Sequence, residues 1–131
     1  MRKDSREVAL KILYSINLDC EWDSQEEIYD YNKLNEQDKQ FCSSLVDTVI
    51  KNQEELLQEL SQISNNYSVE RMFSIDKIVL LLAMAELKFF DDIPPLVTIK
   101  EAMEIVKKYS SEDSVTFVNG ILGAYKTKLE K

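Results

Sequence analysis

The 131-residue sequence contains no histidine, and only two each of glycine, proline and cysteine. Without histidine there is no Ser-His-Asp triad, no Cys-His pair and no His-ligated zinc. Gly120 and Gly123 alone cannot build a G-x-G-x-x-G turn or a Walker loop, and no glycine stands where an EF-hand needs one. Long apolar runs are also missing. The longest, Ile78 to Ala85, has eight residues, far short of a membrane span. The start, Met1-Arg2-Lys3-Asp4-Ser5-Arg6, is basic, but no continuous apolar stretch follows it, which argues against a secretory leader. Cys20 and Cys42 lie beside apolar residues, Ile16 and Leu18 for the first, Phe41 and Leu45 for the second. They read as buried thiols of a protein kept in a reducing compartment, so a cytoplasmic location is expected.

What is present is charge, unevenly spread. Sixteen bases face 24 acids, a net charge of -8. Residues 1–20 hold four bases and three acids, residues 21–70 three bases and twelve acids, and residues 71–131 nine of each. The excess acidity belongs to the middle segment. A nucleic-acid surface is therefore still open to the two ends, if folding brings them together. The length suits one domain over residues 1–131.

Helical spacing recurs throughout, and the chain reads as all-α. A first helix is expected from about Asp4 to Asp19, with Ala9, Ile12, Leu13, Ile16 and Cys20 as its apolar stripe and Glu7–Lys11 as an i,i+4 pair. Ser24 with Glu27 opens a short helix ending near Tyr31, and Asn35 with Asp38 opens a long segment. Lys51-Asn52-Gln53 interrupts the apolar face of that segment and predicts a bend or break; Asn65-Asn66 closes it. Ser68 and Ser74 are candidate N-caps, the second for a helix running to about Phe90. That helix is apolar on nearly every side, as a central helix is. Asp91-Asp92-Ile93-Pro94-Pro95 is a stop. A helix from Val97 or Thr98 to Tyr109 buries Ile99, Ala102, Met103 and Val106, and residues 110–114 lead into a last helix carrying Val118, Ile121 or Leu122, Tyr125 and Leu129. Gly120 and Gly123 inside it each cost about 1 kcal/mol relative to alanine, so close helix packing or a close partner is expected there.

Catalytic pairs are hard to find. Glu26-Glu27, Glu54-Glu55 and Asp91-Asp92 are adjacent, and adjacent helical residues diverge by about 100°. They read as solvated faces, and no cofactor or metal is implied. Binding is better supported. Arg2, Lys3 and Arg6 gather at the start of the first helix, where the dipole makes bases slightly unfavourable, and phosphate binding is one reason to keep them. Phe117 is either a core flank or a partly exposed stacking ring beside the polar 111–119 stretch.

Four stretches then resemble one family, the NusB transcription antitermination factors. They are Ser5-Arg6-Glu7-Val8-Ala9-Leu10-Lys11-Ile12-Leu13-Tyr14; Phe41-Cys42-Ser43-Ser44-Leu45-Val46-Asp47-Thr48-Val49; Val69-Glu70-Arg71-Met72 with Asp76-Lys77, Ala85-Glu86-Leu87 and Asp92-Ile93-Pro94; and Ile99-Lys100-Glu101-Ala102, Lys107-Lys108, Glu112-Asp113-Ser114 and Phe117-Val118-Asn119-Gly120-Ile121-Leu122. They cover about residues 5 to 125 in the family's order. The resemblance implies about seven helices in two packed helical subdomains, with the first helix central. It implies an adaptor rather than an enzyme, pairing with the ribosomal protein NusE to hold single-stranded boxA RNA of nascent ribosomal RNA transcripts, alongside NusA, NusG and RNA polymerase. The RNA-binding residues it implies are Arg2, Lys3, Arg6, Tyr14, Asp113, Phe117 and Asn119, and the protein-partner residues Asp76, Lys77 and Leu81.

The chain departs from the family's pattern at several places. Asp4 and Ser5 replace frequent arginines, Thr116 a frequent base, Leu81 a frequent arginine, and Phe73 a usual proline. Fewer bases imply weaker RNA affinity alone and a smaller salt dependence. Two alternative readings follow from the same features: a helical protein-interaction module without RNA binding, or a stand-alone relative of the RNA-binding domain of ribosomal RNA cytosine methyltransferases.

Overall fold

In a computed structural model, residues 2–18, 30–64 and 68–130 are described. Among these residues are six helices with both ends described, the helical residues 30–32 where the short second helix was expected to end, one short 3₁₀ turn and no strand: α1 Arg2–Leu18, α2 Glu36–Lys51, α3 Gln53–Ile63, the turn Val69–Arg71, α4 Ser74–Phe89, α5 Pro95–Tyr109 and α6 Glu112–Leu129. The expected Ser24–Glu27 helix start, Cys20 and the Asn65-Asn66 stop fall outside the described residues.

Several starts follow the local chemistry. The Asn35 side chain accepts from the Asp38 amide at 2.8 Å and caps α2. Ser111 does the same for α6 through the Ser114 amide at 3.2 Å. The break between α2 and α3 falls at Asn52, whose backbone N–H and side-chain amide both donate to the Thr48 carbonyl, at 3.1 and 2.8 Å. Two starts differ from expectation. Ser74 is the first residue of α4 rather than its cap, and Phe73 holds the cap position without a side-chain bond. Helix α5 begins at Pro95, earlier than Val97, because proline suits the first helical position, where its missing N–H is not needed.

The chain forms two halves, α1–α3 and α4–α6, and α4 packs against each of the other five helices. Ten of its sixteen residues are buried, consecutive from Ile78 to Glu86 with Asp76 before them, which is why no single apolar stripe marks it. The central place implied for the first helix belongs to α4; α1 packs on α2 and α4. Its buried face is Ser5, Arg6, Val8, Ala9, Leu10 and Leu13, while Ile16 is 57% exposed and Ile12 half-buried. The expected stripe was therefore rotated towards Ile12 and Ile16, because the true face begins with two polar residues.

Those two polar residues are fully partnered. Ser5 Oγ donates to the Asp38 carbonyl at 2.9 Å. Arg6 Nε and Nη2 donate to Glu86 Oε2 and Oε1, each at 2.7 Å, and Thr98 Oγ1 donates to Glu86 Oε1 at 3.2 Å. The Arg6 guanidinium also stands 5.4 Å from the Phe41 ring centroid. This forked pair ties α1 to α4 and α5 inside the core. A second hub joins α3, α4 and α6: Glu59 accepts from Lys88 Nζ at 3.1 Å and from the Tyr125 hydroxyl at 2.8 Å. Of the two expectations for Gly120 and Gly123, close packing within the fold is not met, since both are exposed and a Cβ at either would meet open space.

Arg6→Ala or Glu86→Ala strands one charge in the core and should cost about 3–5 kcal/mol, whereas the paired Arg6→Met/Glu86→Leu variant should lose much less. Urea unfolding midpoints of the three variants measure this. Burial pushes the Cys42 thiol up to about 12, so it stays protonated at neutral pH. In a Cys20→Ser background, a thiol reagent at pH 8 should leave Cys42 unmodified until denaturant is added.

Candidate nucleic-acid interface

The three bases at the front of α1 do not form one patch. At ~100° per residue Lys3 diverges from Arg2 and Arg6, which lie about 40° apart and share one neighbour, the Phe41 ring. Arg2 faces the α4–α5 turn, 3.6 Å from the Asp92 carboxylate and 4.6 Å over the Phe41 ring. Arg6 shares that ring, as its four-residue spacing from Arg2 requires, but is only 4% exposed and is spent on Glu86. It cannot present a guanidinium to a phosphate while the fold stands, so its expected RNA contact is corrected to an architectural role. Lys3 is exposed on another side of α1.

That other side carries the built part of the surface. Lys3, Glu7 and Tyr14 recur at spacings of four and seven and lie within about 40° on the helical wheel. Glu7 reaches across to the end of α5, where its Oε1 accepts from Lys108 Nζ at 2.6 Å and from the Tyr109 hydroxyl at 2.8 Å. Burial pushes the Glu7 carboxyl up, but the bonds from Lys108 and Tyr109 and the charges of Lys108 and Lys3 outweigh it, and its pKa is lowered overall. Lys108 is raised, first by its bond to Glu7. Only Ser110 and Ser111 separate Tyr109 from α6. The contact thus ties Glu7 of α1 to the end of α5, two residues short of α6, whose first two turns carry Asp113 and Phe117. Lys11 on the same flank donates to Asp30 at 2.7 Å.

On α6, Asp113 and Asn119 are exposed. Phe117 is half-buried and packs against the core with one side, so it is both core flank and partly open ring. The expected partner residues are placed less evenly. Asp76 is 2% exposed; its Oδ2 accepts from Ser114 Oγ at 2.6 Å, and its Oδ1 is buried with no hydrogen-bond partner. Lys77 is half-buried. Leu81 is 2% exposed in the middle of α4, so it is corrected from a partner contact to a core residue: packing on all sides of α4 leaves it no surface.

Glu7, Lys108 and Tyr109 were not singled out as site residues from the sequence. The Lys107-Lys108 pair was visible as helix-end bases, but its meeting with Glu7 spans 101 residues and has no local signature. Among the described residues no group of His, Cys, Asp or Glu side chains is arranged to hold a metal ion, and no helix is long and apolar enough to cross a membrane.

Comparison with known proteins places this arrangement. The sequence pattern of the NusB family matches residues 3–127. The chain is 40% identical over 126 residues to the transcription antitermination protein NusB of Acetivibrio thermocellus, spanning 93% of this chain and 86% of that protein. It is 37% identical over 132 residues to the protein of the same name from Syntrophus aciditrophicus, spanning 99% and 82%. Among solved structures, T. maritima NusB is similar with a TM-score of 0.86 at 29% identity, over 98% of this chain and 92% of that one. A chain from the crystal structure of antitermination factors NusB and NusE in complex with dsRNA is similar with a TM-score of 0.85 at 28% identity, over 97% and 96%. A family pattern over nearly the full length, relatives of this identity and the same helical fold establish that the chain belongs to the NusB family.

Proposed function

We propose that the protein is a cytoplasmic transcription antitermination adaptor that holds boxA-type single-stranded RNA together with NusE, within an assembly that includes NusA, NusG and RNA polymerase, and that it catalyses no reaction itself. The observation that carries this reading is the junction of α1 with the end of α5, where Glu7 accepts from Lys108 and Tyr109 two residues short of α6. The similarity of 97% of the chain to a NusB crystallised with NusE and dsRNA supports it.

The residues divide by what they can offer a strand. Lys3 and Arg2 supply charge for phosphates, Tyr14 and the open side of Phe117 supply rings for bases, and Asp113 and Asn119 supply polar atoms for base edges and sugar hydroxyls. Arg6 fixes the face without touching the strand. Asp76 holds the start of α6 through Ser114, and with Lys77 lies on the side offered to NusE, while Leu81 supports that side from beneath. The charge available to RNA is small: Arg2 is partly engaged by Asp92, and Arg6 is withdrawn. Affinity must then come largely from stacking and from the second protein.

A boxA oligonucleotide titrated with and without NusE should bind weakly to this protein alone and much more tightly to the pair; equal affinities contradict the proposal. Tyr14→Ala or Phe117→Ala should weaken binding by the pair by about 1–3 kcal/mol, the range for one stacked base. Thermal melts of the same variants separate this from loss of fold. Lys3→Ala should flatten the salt dependence by about 0.7 in log–log slope, the value for one phosphate contact on a single strand.

A further inference from the structure

The Glu7 carboxylate occupies a converging pair of donors. Lys108 Nζ and the Tyr109 hydroxyl meet on one oxygen, Oε1, at 2.6 and 2.8 Å. The ammonium lies 5.2 Å from the Tyr109 ring centroid, so the two donors are held on adjacent positions of one helix end. A single anionic oxygen seated between an ammonium and a phenol is also what a phosphodiester offers. The seat borders a cleft of about 360 Å³ whose charged lining balances, Asp4, Glu7 and Asp30 against Lys11, Lys33 and Lys108, with Tyr109 beside them. The Lys108 side chain is 58% exposed and open to an incoming strand, whereas Glu7 is 13% exposed and approaches from the protein side. Lys3 acts on Glu7 from its own helix, so Glu7 keeps a compensating charge when Lys108 turns away.

We propose that this cleft receives a phosphate of the bound RNA, and that Glu7 is its built-in competitor, holding Lys108 and Tyr109 until the strand's phosphate oxygen takes its place. This rests on the RNA-binding reading above and names a contact within that surface. The competitor has a defined effect. A polyanion that offers only charge must displace a carboxylate and gains little, because one anion replaces another. A strand that also stacks on Tyr14 and Phe117 gains the difference. Glu7 therefore lowers affinity by the same factor for every RNA that seats a phosphate in this cleft.

The test uses the complex of this protein with NusE, a boxA oligonucleotide and an unrelated single-stranded RNA of equal length. Glu7→Gln keeps an acceptor for Tyr109 but releases Lys108. It should tighten binding of both RNAs by a similar factor, about two- to fivefold, the range for an exposed ion pair. It should also steepen the log–log salt dependence by about 0.7, because a free ammonium now releases a counterion. The gain should vanish in Glu7→Gln/Lys108→Gln, and NusE affinity should not change. Unchanged or weaker RNA binding by a Glu7→Gln protein that melts like the wild type overturns the proposal, as does a gain that survives loss of Lys108 or one that appears in NusE affinity instead. Should Glu7→Gln melt early, Lys108→Gln alone decides: it leaves an unmasked carboxylate at the seat, is expected to weaken RNA binding two- to tenfold, and overturns the proposal if it does not. Absence of RNA binding by the wild-type pair in the same titration defeats the underlying RNA reading instead, and is distinguishable from every variant result.

Discussion

The pair between Arg6 and Glu86 sets the geometry on which the rest depends. Both side chains are almost sealed, both nitrogens of the fork are used, and Thr98 supplies a further donor from α5. A buried charge left without its partner costs several kcal/mol, so α1 has one acceptable rotation relative to α4. That rotation decides which side chains of α1 meet solvent. With Arg6 turned inward, Arg2 is carried to Phe41 and Asp92, and Glu7 is carried to Lys108 and Tyr109 at the end of α5. A basic residue that looks like a ligand contact is thus the reason that the neighbouring residues can form one.

The same logic runs through the second half of the chain. Asp76 is fixed by Ser114, whose hydroxyl also receives the hydroxyls of Ser110 and Ser111 at 3.0 and 3.1 Å. This chain of hydroxyls pins the turn between α5 and α6 to the start of α4. The corner carrying Tyr109, Asp113 and Phe117 is therefore held from two sides, by Glu7 of α1 and by Asp76 of α4. A binding surface built from two helix ends and one helix flank needs such fixing, since helix ends otherwise fray, and a stacking ring displaced by an ångström loses its partner.

Much of the fold was legible because it follows from local rules. The Asn35 cap, the break at Asn52 and the all-round apolar character of α4 are short-range signals, and the structure realises each. The failures share a cause. Arg6 and Leu81 take their site roles from the family's pattern, yet what they do here depends on which residues face them from distant helices, and that information sits at Glu86 and in the packing around α4. The α1 stripe slipped towards Ile16 for the same reason: a buried Ser5 and Arg6 do not register as apolar, so the pattern settled on the nearest hydrophobic residues. Gly120 and Gly123 suggested a close contact, and the fold itself provides none. Of the candidate site, the individual residues of α1 and α6 could be named from the family's motifs. The bridge through Glu7, Lys108 and Tyr109 could not, because nothing local marks a contact 101 residues long.

The net charge of -8 would seem to oppose an RNA partner, but the distances decide otherwise. At physiological ionic strength a charge is largely screened beyond about 8 Å, so exposed acids along α2 and α3, such as Glu36, Asp47, Glu54 and Glu55, act on a strand mainly where they adjoin it. What a phosphate meets at the α1–α5 corner is set by pairs that lie within contact distance there, Glu7 with Lys108 and Lys11 with Asp30. Those pairs leave the corner close to neutral rather than repulsive. A near-neutral surface with rings and convertible ion pairs binds a single strand weakly, and discriminates by what stacks rather than by what is charged. It also explains why such a surface benefits from a second protein: the long-range attraction that a basic groove would supply is missing here, and a partner that adds contacts on the same strand replaces it.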